Sequence, residues 1–203
     1  MLVKRNSYSY DKEKNTMHIK IETLNSKTND VDSFVDELKK SISANSPQNI
    51  TIDLRGNNGG SEVAFEANEN SESFYKLIEG ANVVTYVDER TFSSASKVMQ
   101  KLKMHGSKVV GETIGQTENH FGDCKLIKIP NTDVKVFCST KEYVLVGGKH
   151  YGLSKNGNYT YEDAKKHGIT MDMIKQRKNF ELDYHVQISK PKAFSSDAGG
   201  IKK

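Results

Sequence analysis

The stretch Thr91-Phe92-Ser93-Ser94-Ala95-Ser96-Lys97-Val98-Met99-Gln100-Lys101-Leu102-Lys103, read with Arg55-Gly56-Asn57-Asn58-Gly59-Gly60, decides the fold. The apolar run Val83-Val84-Thr85-Tyr86-Val87 leads into the serines, and Val98, Met99 and Leu102 follow at helical spacing. A serine-rich turn therefore joins a strand to a helix. Free backbone N–H groups at a helix start face any negative charge that develops in front of them, which suits a hydroxyl nucleophile. On local sequence alone the same serines also read as a helix cap.

Two further loops bear on that choice. The apolar strand Ile50-Thr51-Ile52-Asp53-Leu54 runs straight into the glycine turn, where adjacent glycines can present backbone N–H groups to a ligand. The polar loop Gly111 to Asp123 (GETIGQTENHFGD) follows the strand Lys108-Val109-Val110.

The order R-x-N-x-G-G, T-x-S-S-A-S, then G-E-T-x-G with N-H-F-G-D resembles the tail-specific, or C-terminal-processing, serine peptidases, a family that includes the tricorn core and the retinoid-binding repeats. The resemblance spans roughly residues 16 to 145. It implies the ββα spiral of crotonase-like and Clp-type folds, with Ser94 as nucleophile and the N–H groups of Ala95 and of Gly59 or Gly60 as oxyanion donors. In the processing branch the base is a lysine just after the G-x-T-x-G loop. Gln116 stands at that position here, so the chain is more similar to the tricorn and retinoid-binding-repeat branch, whose base is a histidine upstream of the first residue of this sequence.

Three residues could supply a base in its place. His120 lies in the loop that carries the lysine in relatives, and a neutral imidazole suits proton abstraction from serine; bracing the loop is its other reading. Lys97 sits one helical turn past Ser94, where surface solvation is the plain expectation. His18 reads as a structural or solvent histidine in an alternating strand. Asp53 and Arg55 read as braces of the glycine turn. No His/Cys/Asp/Glu grouping has metal-ligand spacing and no phosphate-binding glycine fingerprint opens a helix, so neither metal nor cofactor is expected.

Composition sets the bounds. The 203 residues suffice for one domain with a sizeable core, and 28% charged against 35% hydrophobic residues describe a polar globular chain. Net charge is +4, but lysines and acids alternate without a basic block, which excludes a nucleic-acid surface. The apolar runs are far shorter than the roughly 20 residues of a membrane span. MLVKRNSYSY lacks the apolar core of a signal peptide, which places the chain in the cytoplasm unless an N-terminal region is missing. Cys124 and Cys138 are expected to be reduced.

In chain order, the pattern predicts a lead-in over 1–15, a strand at 17–21, a helix from Asp30 to Ser43, and a strand at 49–54. A largely helical stretch over 63–78 follows, then a strand at 82–87, the serine helix, and a strand at 108–110. Strands are expected at 125–129, 134–137 and 143–146, loop from Gly147 to Asn158, helix over 161–174, and a closing strand over 180–186. The expectation is an α/β single domain with a mixed sheet over residues 1–190, followed by a flexible tail at 191–203. Function then divides between a serine-type peptidase acting on peptides or unfolded proteins and a catalytically degenerate peptide-binding module. Oligomeric state is not legible in the sequence.

Overall fold

The computed structural model describes residues 6–27, 30–67, 72–147, 149–153, 160–176 and 178–186. Residues expected to form the tail lie outside this set. The chain is a mixed α/β domain, as the sequence pattern requires.

Strand β1 (Ser7–Asp11) pairs antiparallel with β2 (Thr16–Lys20), so the expected lead-in is an edge strand. Helix α1 (Val31–Asn45) starts at Asp30, whose carboxylate accepts the Ser33 N–H, and ends where Ser46 turns left-handed. Its Val31, Phe34, Val35, Leu38 and Ile42 form the buried stripe. Strand β3 (Asn49–Asp53) lies parallel to β2 and buries Ile50 and Ile52.

The stretch expected to be largely helical is less regular. It holds a 3-10 turn (Val63–Phe65) and a one-turn helix α2 (Phe74–Leu77). Phe65, Phe74 and Tyr75 are buried against one another, with Phe65 and Phe74 edge-on at 5.3 Å between ring centres. That aromatic cluster satisfies the apolar residues without a continuous helix.

Strand β4 (Asn82–Val87) follows, then α3 (Ser94–Met104) and β5 (Lys108–Gly111), with β3, β4 and β5 mutually parallel. In α3, Ala95, Val98, Met99 and Leu102 are fully buried at i, i+3, i+4 and i+7, and each larger side chain is worth about 1.5–3 kcal/mol on burial. This face fixes the rotation of the helix and hence the direction of its first residues.

Beyond the main sheet, β6 (His120–Lys128) and β7 (Lys135–Val146) make one long antiparallel ribbon, and β8 (Lys149–Leu153) adds a third strand where loop is expected. Two short helices, α4 (Tyr161–Lys166) and α5 (Met171–Lys175), replace one longer helix. Val144, Leu153, Ala164, Ile169 and Ile174 form a small second core there. Strand β9 (Tyr184–His185) is only the end of the expected closing strand, and it joins β5 in parallel. The main sheet is thus ordered β1-β2-β3-β4-β5-β9.

The thiols sit on the ribbon. Cys124 stands opposite Ser139 and Cys138 opposite Lys125, so they are offset by one residue and lie on opposite faces. Thiol titration under denaturing conditions without reductant is expected to find two free groups; finding none would contradict this geometry.

Candidate functional site

The glycine turn and the serine turn are stitched together by the backbone polar groups that two parallel strands leave at their C-terminal ends. The Phe92 N–H donates to the Asn57 carbonyl at 2.9 Å, Gly56 N–H donates to the Asp88 carboxylate at 2.8 Å, and the Thr91 hydroxyl donates to the Leu54 carbonyl at 3.1 Å. Asn57 is fully buried; its amide donates to the Ile21 carbonyl and its side-chain oxygen accepts the Gly59 N–H. A Cβ at Gly59 would lie 2.6 Å from the Ser93 Cβ and 3.0 Å from the Ser94 nitrogen. Gly59, Gly60, Ser94 and Ala95 are therefore brought to one place.

Ser93 carries the strain of the turn, with φ +54 and ψ −127. A non-glycine residue there costs about 1–3 kcal/mol and persists only where its surroundings fix it. Gln116 does much of that fixing. Its side-chain oxygen accepts the Ser93 N–H at 2.8 Å, its amide donates to the Ser96 hydroxyl at 2.9 Å, and that hydroxyl donates to the Ser93 carbonyl at 2.7 Å. A closed triangle of hydrogen bonds thus holds the start of α3. At the position where the resemblance implies a base, this chain has a brace.

Ser94 is 4% exposed, and its hydroxyl donates to the Gly60 carbonyl at 2.9 Å. Gly60 therefore turns its oxygen, not its N–H, toward the hydroxyl. The other two expected oxyanion donors are also engaged: Gly59 N–H with Asn57, and Ala95 N–H with the Phe92 carbonyl at 3.1 Å. Buried N–H groups find acceptors within the fold, and a substrate oxygen must displace those acceptors at about 1 kcal/mol each.

The candidate bases separate clearly. His18 is exposed and bonds to the Thr51 hydroxyl, as a structural histidine would. Asp53 and Arg55 make a bidentate contact at 2.8 and 2.7 Å, the brace expected of them. His120 opens β6, 7% exposed, stacked on Tyr143 with ring centres 5.3 Å apart. Burial lowers its pKa to about 4, and the Lys97 ammonium adds to this, so it is a poorer proton acceptor than an ordinary imidazole. The Ser94 hydroxyl lies 2.9 Å from the Gly60 carbonyl, to which it donates.

Lys97 is the larger departure. In place of a solvated side chain, it is a buried one, 10% exposed, with its ammonium 3.2 Å from the Glu62 carboxylate and 3.6 Å from the centre of the Tyr143 ring. Its position in the first turn of α3 points it at the segment after the glycine turn and at the ribbon, both distant in sequence. Glu62 was not singled out in the sequence, where its only signal is lying two residues past Gly60. Burial pushes its carboxyl up, but the Lys97 charge and the nearby Ser94 hydroxyl outweigh this and hold it below the usual range. Tyr143 is also new to the site; burial and its hydrogen bond to Asp123 push its phenol up. Among the described residues no group of three or more His, Cys, Asp or Glu could hold a metal ion, and no helix is long and apolar enough to cross a membrane.

No protein-family model matches the sequence. No curated protein matches it either. Solved structures do share the fold. A lipoprotein from Streptococcus agalactiae superposes with a TM-score of 0.52 at 12% identity, over 91% of this chain and 66% of its own. The photosystem II D1 C-terminal processing protease gives 0.53 at 11%, over 92% and 49%. Mature CPAF gives 0.51 at 11%, over 89% and 49%. The chain thus spans between about half and two thirds of the length of these proteins. The fold is shared with structures that include a C-terminal processing protease.

Proposed function

We propose that this chain is a serine-type peptidase that hydrolyses peptide bonds through an acyl-enzyme on Ser94, with extended peptides or unfolded protein segments as substrate. The reading includes the ββα spiral and the tricorn-core and retinoid-binding-repeat branch, since Gln116 is a brace. The observation that carries it is the contact between the glycine turn and the first turn of α3, which sets the buried Ser94 hydroxyl against the Gly60 carbonyl at 2.9 Å and Gly59 against the Ser94 nitrogen. In that position the Ser94 oxygen attacks the peptide carbonyl, and N–H groups of Gly59, Gly60 or Ala95 take the oxyanion once released. Losing one such donor costs about 2.7–4 kcal/mol of transition-state stabilisation. With those donors engaged and Ser94 bonded to a carbonyl, turnover is slow. The same bonds favour a second reading, a peptide-binding module that does not cleave.

Labelling by a fluorophosphonate probe, alongside cleavage of an unfolded protein, tests the proposal. Wild type is expected to label and cleave slowly, and Ser94→Ala to do neither while melting at a similar temperature. Turnover that survives Ser94→Ala would sink the assignment. Peptide binding with no labelling at any pH would establish the binding module instead.

A further inference from the structure

The outer part of the ribbon, residues 124–128 of β6 paired with 135–139 of β7, contributes to neither hydrophobic core. Its apolar side chains nevertheless occupy both faces. Leu126 lies across from Phe137 on one face, 52% and 75% exposed, while Ile127 lies across from Val136 on the other, and both of these are exposed as well. A two-stranded ribbon is at best marginally stable in water, and a contiguous apolar surface on it marks a place of contact.

The backbone and the charges say what kind of contact. Strand β6 is the edge of its sheet. Ile129 N–H donates to the Val134 carbonyl at 3.0 Å, so the alternation of antiparallel pairs turns the N–H and C=O groups of Leu126 and Lys128 outward, away from β7. An edge of this kind takes another extended strand. Residues 124–139 hold three lysines, Lys125, Lys128 and Lys135, against one acid, Asp133, which pairs with Lys128 at 3.6 Å. Lys128 already stands opposite Lys135 within the ribbon, and a second copy of the same edge would add further like charges. The hairpin end, Pro130-Asn131-Thr132-Asp133, is polar, which is the wrong tip for entering lipid.

We propose that the outer edge of β6 is a docking site for an extended segment of another protein in which two apolar residues stand between two acidic ones, added to the ribbon as a further strand. The pattern follows from Lys125-Leu126-Ile127-Lys128, whose side chains alternate between faces, so that each face of β6 offers one aliphatic group and one ammonium. A neighbouring strand with the order acidic, apolar, apolar, acidic meets every one of the four with its complement, and does so in either strand direction. Its backbone pairs with the outward groups of Leu126 and Lys128. The inference is independent of any chemistry at Ser94.

Fluorescence polarisation tests it with a labelled peptide built around glutamate-valine-valine-glutamate and a counterpart with lysine for glutamate, using the full chain as Ser94→Ala so that neither is cut. The glutamate peptide is expected to bind, and the lysine counterpart to bind about tenfold more weakly or worse. Reversing the edge with Lys125→Glu and Lys128→Glu together is expected to exchange that preference, a result that misfolding does not produce. Binding of the glutamate peptide is also expected to slow amide hydrogen exchange at Leu126 and Lys128, which requires no variant. Equal affinity for the two peptides, an unexchanged preference in the reversed variant, or unmoved exchange at those two amides would overturn the proposal. So would failure of the glutamate peptide to bind; in that case, sedimentation showing a dimer would give the edge to a second copy, and flotation with anionic vesicles would give it to a membrane surface.

Discussion

Gly60→Ala is expected to lower stability by more than about 4 kcal/mol, or to prevent folding, the class of loss reserved for backbone collision in a core. Gly60 has φ +142, and a Cβ built on it would sit 2.0 Å from the Leu24 carbonyl oxygen and 2.1 Å from its carbon. Those atoms cannot yield, because Leu24 N–H donates to the Gly59 carbonyl and Ser61 N–H donates to the Leu24 carbonyl. The bridge between Leu24 and Gly60 is what ties the glycine turn to the segment after β2. Gly80→Ala separates strain from collision: it has φ +87 with nothing within 4 Å of its Cβ, and is expected to cost only about 1–2 kcal/mol. Urea unfolding of both variants against wild type measures the difference. Equal losses would show that the turn opens easily, and the tight placement of Gly60 against Ser94 would then not hold.

The same bridge explains what could be read from the sequence. Strand β4 was legible to its end residues, because the β-forming run Val83-Val84-Thr85-Tyr86-Val87 is bounded by Gly80 and Asp88. Helix α1 was legible because one amphipathic stripe behind an Asp30 cap leaves few alternatives. The meeting of the two turns was legible only as an expectation, from glycines and serines at the ends of adjacent strands. What failed was non-local. Strand β8 has the unremarkable sequence Lys-His-Tyr-Gly-Leu and exists through its pairing with β7. Charge alone made Lys97 read as solvated, yet its surroundings are Glu62, 35 residues before it, and Tyr143, 46 residues after it. A sequence states that a lysine is one turn past a serine; it does not state which carboxylate and which ring will close over it.

Gln116 marks the boundary between these cases. The resemblance implies a base at its place after Gly115, and an amide side chain cannot take a proton there. The positive role required coordinates, because it depends on the strained backbone at Ser93. A lysine at 116 would lose the acceptor that the Ser93 N–H needs, since an ammonium only donates.

Acidification from pH 7.5 to 5.0 is expected to lower stability by about 2 kcal/mol through His120. Its folded pKa is depressed to about 4, chiefly by burial, against 6.5 for an ordinary imidazole. Within that interval the unfolded chain binds a proton that the folded chain refuses, so stability rises with pH across the window and is fully present above about pH 6.5. The groups around the ring set the size of the effect: Lys97 opposes protonation, whereas the Glu118 carbonyl and Glu62 favour it. Carboxylates held low in the fold, Asp53, Glu62 and Asp123, act with the same sign but only as pH falls through their unfolded values near 4, below this window. Urea midpoints at half-unit steps of pH measure the slope in wild type and in His120→Gln, which keeps a polar side chain beside Tyr143 and cannot take the proton. The variant is expected to be nearly flat between pH 7.5 and 5.0. A slope unchanged in His120→Gln would place the titrating group elsewhere and remove the argument that a buried, neutral His120 is a poor partner for Ser94.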